Sequence, residues 1–277
     1  MRSHSPCLPG IALMTAPQAL PSIVISPSMH KHMLQMRQPE ALPRSLTVVV
    51  PCYNEQATLQ QLLHSVFAAD TCGLALEVVL VDDASQDESF ALATSMAKAE
   101  TRLRVFRHPV NQGKGAALRT GFAQATGDIV LIQDADLEYN PQDYSKLLSP
   151  ILNGQADVVY GSRFIGGDCK RVLYFWHMLG NRFLTLCSNI MTNMTLTDME
   201  TCYKVFRREI LLKLKPRENR FGFEPEITAR LSRLNPRPAV YEVGISYSGR
   251  TYQEGKKITW KDGVRALYCI VRYRLFD

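Results

Sequence analysis

The chain has 277 residues, 46% hydrophobic and 21% charged, with a formal net charge of +6. This mix excludes a disordered, collagen-like or disulfide-stapled chain, and the length readily buries the core of one large domain. The charge is local. Residues 1–44 hold Arg2, Lys31, Arg37 and Arg44 against Glu40, and residues 245–277 hold seven bases against three acids, so the stretch between is slightly acidic. A uniformly basic nucleic-acid binder is not built this way. Seven cysteines without a C-x-x-C pair argue against a zinc site or a disulfide framework and fit a reducing cytoplasm. No apolar run approaches the length that crosses a bilayer.

Residues 1–44 carry seven of the fifteen prolines, and these interrupt every apolar stretch, so no signal-peptide core forms. The segment reads as a disordered leader, or as translation begun upstream of a start at Met33 or Met36. From Ser45 the pattern alternates. Leu46–Pro51 predicts a strand and Ala57–Ala69 a helix, with Leu59, Leu62, Leu63, Val66 and Phe67 on one face. Glu77–Val81, Arg102–Arg107, Asp128–Gln133 and Asp157–Tyr160 predict further strands; Asp87–Glu100, Gly115–Ala125 and Pro141–Asn153 predict the helices between them. Strands separated by single helices imply an α/β fold with parallel pairing, and ligands in such sheets sit beyond the carboxyl ends of the strands. Beyond residue 161, helices are predicted at about 176–193 and 258–276, flanking a stretch that includes Val240–Tyr247.

Each charged motif follows a strand. After the first come Pro51, Tyr53, Asn54 and Glu55; Glu55 could accept hydrogen bonds from a ribose or base, or Asn54 could simply cap a helix. After the second come Asp82 and Asp83, adjacent carboxylates that are costly without a partner, followed by Ser85 and Asp87 as alternative helix caps. Asn111-Gln112-Gly113-Lys114-Gly115 suggests an anion-binding turn ahead of a helix, or a structural glycine turn; it is neither a Walker A loop nor a dinucleotide fingerprint. After the fourth strand, Asp134, Asp136 and Glu138 point the same way if the segment is extended, and three such acids suit a hard cation, Mg²⁺ or Mn²⁺, holding a diphosphate.

These stations, with Gly161-Ser162-Arg163, strongly resemble the GT-A glycosyltransferases of family 2, whose pattern reads P-x-Y-N-E, D-D-x-S-x-D, N-x-G-K-G, D-A-D and G-S-R. The stretches 196–206, 221–227 and 249–258 are similar to the dolichol-phosphate mannosyltransferase and polyprenyl-phosphate hexose synthase branch. Asp198-Met199-Glu200-Thr201-Cys202 stands where that branch usually has D-x-x-S/T-G. The resemblance implies a Rossmann-like GT-A domain over 45–257 and inverting, metal-dependent transfer of a hexose from GDP-mannose or UDP-glucose to a polyprenyl or dolichyl phosphate. It implies nucleotide-sugar contacts from Pro51, Tyr53, Glu55, Asp82, Asp83, Lys114, Asp134, Ala135 and Lys257. The metal would fall to Asp136, with Asp134 and Glu138. Arg163, Arg182 and Arg250 would be phosphate ligands, and Asp198 and Glu226 bases or orienting groups. A hydroxyl acceptor in glycan assembly is the alternative, and a non-catalytic binding relative a remote one.

Gly249–Gly255, glycine at each end and charged between, reads as a loop that closes over the donor. In the last helix Trp260, Val264, Leu267, Tyr268, Val271 and Leu275 form an apolar face flanked by Lys261, Arg265 and Arg272. That pattern fits an anionic membrane interface, or docking on the protein's own core. The whole predicts a cytoplasmic protein, peripheral on the membrane.

Overall fold

The computed structural model describes residues 42–166, 171–172, 174–251 and 260–276. Most of the proline-rich leader, and with it any account of its role, lies outside the described residues. The strands are β1 (Ser45–Cys52), β2 (Ala75–Asp82), β3 (Leu103–Arg107), β4 (Ile129–Ile132), β5 (Val158–Ser162), β6 (Lys204–Arg207) and β7 (Val240–Gly244). The helices are α1 (Leu59–Phe67), α2 (Ser89–Ala99), α3 (Lys114–Gln124), α4 (Tyr144–Leu152), α5 (Phe175–Thr192), α6 (Arg208–Leu214), α7 (Phe223–Leu231) and α8 (Trp260–Leu275). A 3₁₀ turn over Pro141–Asp143 leads into α4, where the sequence reads as one continuous helix.

One seven-stranded sheet runs in the order β3-β2-β1-β4-β6-β5-β7. The α/β expectation holds, because β1, β2, β3 and β4 pair in parallel, as do β5 and β7. Their central residues, Val48–Val50, Val78–Val81 and Ile129–Leu131 among them, are sealed from solvent on both faces, which is why they read as unbroken apolar runs. The pairing is not parallel throughout, because β4 and β5 are not neighbours. β6 inserts between them, antiparallel to both. It escapes the sequence because it begins with Lys204, whose buried ammonium donates to the carbonyls of Met199 and Thr201 and lies over the Tyr160 ring. α7 also escapes, because all but Arg230 of its nine residues are buried and no amphipathic stripe marks it.

α8 docks on α7 and α5, but by the face opposite the predicted one: Ala266, Cys269, Ile270 and Tyr273 are buried. Apart from Leu267, which packs against the core, the predicted apolar face points outward, with Trp260 77%, Val264 58% and Leu275 57% exposed. α5 adds a parallel feature. Trp176, Leu179, Phe183, Leu186 and Ile190 recur at three- and four-residue spacing and all are exposed. Among the described residues no helix is long and apolar enough to cross a membrane.

Candidate active site

The loops after β1 and β2 zip together at the carboxyl edge of the sheet. Asn54, at φ 53°, donates its backbone N–H to Ser85 Oγ (3.0 Å) and accepts from Gln86 N through Oδ1 (2.8 Å). Glu55 N donates to Ser89 Oγ and Gln56 N to Asp87 Oδ2. Asn54 is therefore no helix cap; α1 begins at Leu59 with Thr58 before it. Ser85 likewise serves the loop junction, while Asp87 bridges Gln56 N and Ser89 N. β1 runs one residue past Pro51, and half-buried Tyr53 stands at the mouth.

Asp82 and Asp83 find different partners. Asp82 is fully buried; its Oδ2 accepts from Ser85 N (3.1 Å) and meets Arg107 Nε (3.2 Å), while Oδ1 has no hydrogen bond. Asp83 Oδ1 meets His108 Nδ1 (2.7 Å) and accepts from Gln112 N (2.9 Å); Oδ2 accepts from Gly113 N (2.6 Å). The suspected anion-binding turn does hold an anion, and it is this carboxylate. The structural reading of its glycines also prevails. Gly113 sits at φ +100°, and a Cβ there would stand 2.4 Å from Asn219 O; on Gly115 it would stand 2.2 Å from Glu218 O. Lys114 is drawn inward, 3.0 Å from both Asp134 Oδ2 and Glu224 Oε1. Burial opposes its charge, yet the surrounding acids outweigh it and hold the amine well above the usual lysine range.

The acid triplet after β4 is not extended. Leu137 takes φ 62°, and the three carboxylates diverge. Asp134 pairs with Lys114, while Glu138 accepts from Tyr247 Oη (2.8 Å) and Arg250 N (2.6 Å). Asp136 Oδ1 accepts from Glu138 N (3.1 Å). Burial, then Asp134 and Glu138, push the Asp136 carboxyl up to about 7. Among the described residues no group of three or more His, Cys, Asp or Glu is arranged for a metal. The donor chemistry at Asp136 nonetheless fits one, because a half-buried carboxyl whose ionisation is opposed by two neighbouring acids is what a hard divalent cation relieves. Buried Ala135 accepts from Thr58 Oγ1 (2.8 Å) through its carbonyl.

Two arginines bracket this station. Arg250 lays its guanidinium along Glu55, Nη2 to Oε2 at 2.7 Å and Nη1 to Oε1 at 3.2 Å, and donates from Nε to the Asp136 carbonyl. Glu55, expected to face a nucleoside, is thus engaged by Arg250. Arg163 grips fully buried Asp198 through Nε (2.6 Å), Nη2 (2.7 Å) and its backbone N–H (3.0 Å). Its guanidinium lies over the Tyr247 ring, and Tyr247 donates to Glu138, so Arg163, Tyr247, Glu138, Arg250 and Glu55 form one contiguous string.

A family model, Glycosyl transferase family 2, matches residues 47–215. The chain belongs to that family. Dolichol-phosphate mannosyltransferase of Pyrococcus furiosus is 27% identical over 232 residues, 82% of this chain and 64% of that protein. Undecaprenyl-phosphate 4-deoxy-4-formamido-L-arabinose transferase of Pseudomonas paraeruginosa is 30% identical over 214 residues, 76% of this chain and 60% of that protein. The chain therefore spans under two thirds of the length of these relatives. Glucosyl-3-phosphoglycerate synthase from Mycobacterium tuberculosis, solved with Mn²⁺, uridine diphosphate and phosphoglyceric acid, superposes with TM-score 0.65 at 21% identity, over 84% of this chain and 80% of that one. That likeness establishes a shared GT-A fold.

In this family 2 chain, Glu226 stands apart from the string. It is fully buried, and its carboxylate accepts from Arg217 N, Glu218 N and Arg230 Nε. Arg182 is exposed on α5 but shares the Phe164 ring with Arg163. Lys257 and residues 252–255 of the expected closing loop lie outside the described residues. The sequence assigns no role to two further acids. Glu224, two positions before Glu226, is the one that reaches Lys114. Glu200 is pushed up to about 8 by burial and then by Glu224, with Lys204 and Arg163 pulling the other way. The motif Phe223-Glu224-Pro225-Glu226 held a signal for Glu224, since residues two apart on a helix face different ways and only one of the pair could join the site.

Proposed function

We propose that the protein is an inverting glycosyltransferase that moves a hexose from a nucleotide-sugar, GDP-mannose or UDP-glucose, to a polyprenyl or dolichyl phosphate at the cytoplasmic face of a membrane. One observation carries the choice of acceptor. The two carboxylates offered as bases are already engaged, Asp198 by Arg163 and Glu226 by Arg230 and two backbone N–H groups. A hydroxyl acceptor needs a base, whereas a phosphate monoester is ionised near pH 7 and needs a fixed cation instead. Arg163 is such a cation, and Arg182 extends it towards the rim. The names of the Pyrococcus and Pseudomonas relatives, each built on a polyprenyl phosphate, point the same way.

Pro51, Tyr53 and Asp82, whose Oδ1 has no hydrogen bond, would frame the nucleoside. Arg250, on leaving Glu55, would meet the diphosphate. Asp136, helped by Glu138, would hold Mg²⁺ or Mn²⁺, which when bound neutralises the diphosphate as it departs. Mn²⁺ accompanies UDP-glucose in the mycobacterial fold neighbour. The reading is tested with radiolabelled UDP-glucose and GDP-mannose offered to polyprenyl phosphate. Label entering the lipid phosphate is expected; label entering only hydroxyl acceptors would overturn it.

The outward apolar rows of α5 and α8 support an anionic bilayer as the docking surface, since Arg182 and Lys261 flank them and are exposed, whereas Arg265 is paired with Glu218. Phe183→Asp combined with Tyr268→Asp, both at exposed positions, is expected to abolish co-sedimentation with phosphatidylglycerol vesicles while leaving transfer to a short, water-soluble polyprenyl phosphate intact. Undiminished sedimentation would remove the membrane from the account.

A further inference from the structure

Asp198 can aim Arg163 only if its own backbone stays put, and that backbone is held from β7. Glu242 Oε1 accepts from Thr197 N (3.0 Å) and Asp198 N (3.0 Å), and Oε2 accepts from Thr197 N (2.9 Å). The same turn is tied to the end of β5, where Ser162 Oγ and Thr197 Oγ1 stand 2.6 Å apart. In the parallel pairing of β5 with β7, Glu242 lies opposite Tyr160, three residues before Arg163. The arginine and the carboxylate that grips it are therefore both referenced to one edge of the sheet. A residue that merely filled space would not place a carboxylate under two successive N–H groups. No other described carboxylate bonds those two amides.

We infer that Glu242 is a positioning residue for transfer, acting through the Thr197–Asp198 backbone to hold the Arg163 guanidinium in register with the acceptor phosphate. This rests on the reading of Arg163 as a phosphate ligand. Truncation of Glu242 lets the turn drift, and the bidentate grip of Asp198 tolerates little drift, because two parallel N–H···O bonds fix both direction and distance. A displacement of about 1 Å at a positioned group costs on the order of 10²-fold in rate. Glu242 also borders a cleft of about 250 Å³ beside Arg237 and Leu196, open to solvent, so a shorter side chain enlarges an existing opening rather than a sealed core.

The full chain is assayed with donor, divalent metal and polyprenyl phosphate. Glu242→Ala and the volume-matched Glu242→Leu are expected to lower kcat about tenfold or more with donor KM within about twofold, the split expected of a lost transition-state interaction. Glu242→Gln, whose Oε1 can still accept from both N–H groups while its amide nitrogen replaces the second acceptor at Thr197 N, is expected to fall between wild type and those two variants. Arg163→Lys tests the underlying reading and should be strongly impaired. Wild-type kcat in both Glu242→Ala and Glu242→Leu, or a Glu242→Gln as impaired as they are, would overturn the inference while an impaired Arg163→Lys left the reading standing. A fully active Arg163→Lys would overturn both.

Discussion

Asp136→Asn is expected to lower transfer by about 10³-fold, the loss typical of removing a group that stabilises developing charge, while making the metal-free protein more stable at pH 8. The two effects have one cause. The Asp136 carboxyl titrates at about 7 when folded, against 3.8 as its ordinary value, because burial and then Asp134 and Glu138 oppose its ionisation. Between those pH values the native protein holds a proton that the unfolded chain has released. The stabilisation is therefore complete below the unfolded value and is lost as pH rises through about 7. Asparagine has no charge to oppose and escapes the loss. Melting curves without metal should coincide near pH 4, separate as pH rises towards about 7 and stay apart at pH 8, with the variant higher. Mn²⁺ should raise the wild-type curve at pH 8 far more than the variant's, by mass action on the folded state. A variant that melts below wild type at pH 8 would refute the argument, as would an active one.

Asp198→Asn should cost up to about 3 kcal/mol of stability, since it leaves a half-buried guanidinium opposite a neutral partner, and should reduce kcat by at least about 10²-fold. Arg163 depends on this pair for charge compensation and direction: Asp198 is fully buried and accepts both its side-chain bonds and its backbone N–H. Replacing both partners, Arg163→Met with Asp198→Leu, should recover much of the stability and none of the activity, because two apolar groups leave no unpaired charge. Urea unfolding and steady-state rates on the two variants make the comparison. A double variant that transfers sugar normally would remove Arg163 from the acceptor site.

Much of the architecture could be read along the chain for a physical reason. β1, β2 and β4 are buried on both faces, so each is an apolar run, and the polar residues that follow must emerge at the carboxyl edge. Hence the placement of Glu55, Asp82, Asp136 and Arg163 at strand ends is legible in residue order alone. The helix α1 was equally legible, since Leu59, Leu62, Leu63 and Val66 are its buried stripe. β6 and α7 were not. Lys204 at the start of one and Glu224 and Glu226 inside the other look like surface residues until their buried partners are seen.

What local pattern could not supply was partnership. Glu55 meets Arg250 across 195 positions, Glu138 meets Tyr247 across 109, and Asp198 meets Arg163 across 35. Whether a carboxylate is a free ligand, a base or the clamp on an arginine depends on which group folding brings to it, and periodicity carries no record of that. The same holds for α8. Both of its faces carry apolar residues, so its amphipathic pattern admits two orientations, and only packing against α5 and α7 turns Cys269 and Ile270 inward and Val264 and Tyr268 outward. Residue order thus determines the sheet's edge stations and their charge. Long-range pairing assigns each station its role, because hydrogen bonds and ion pairs reward proximity in space and are indifferent to separation along the chain.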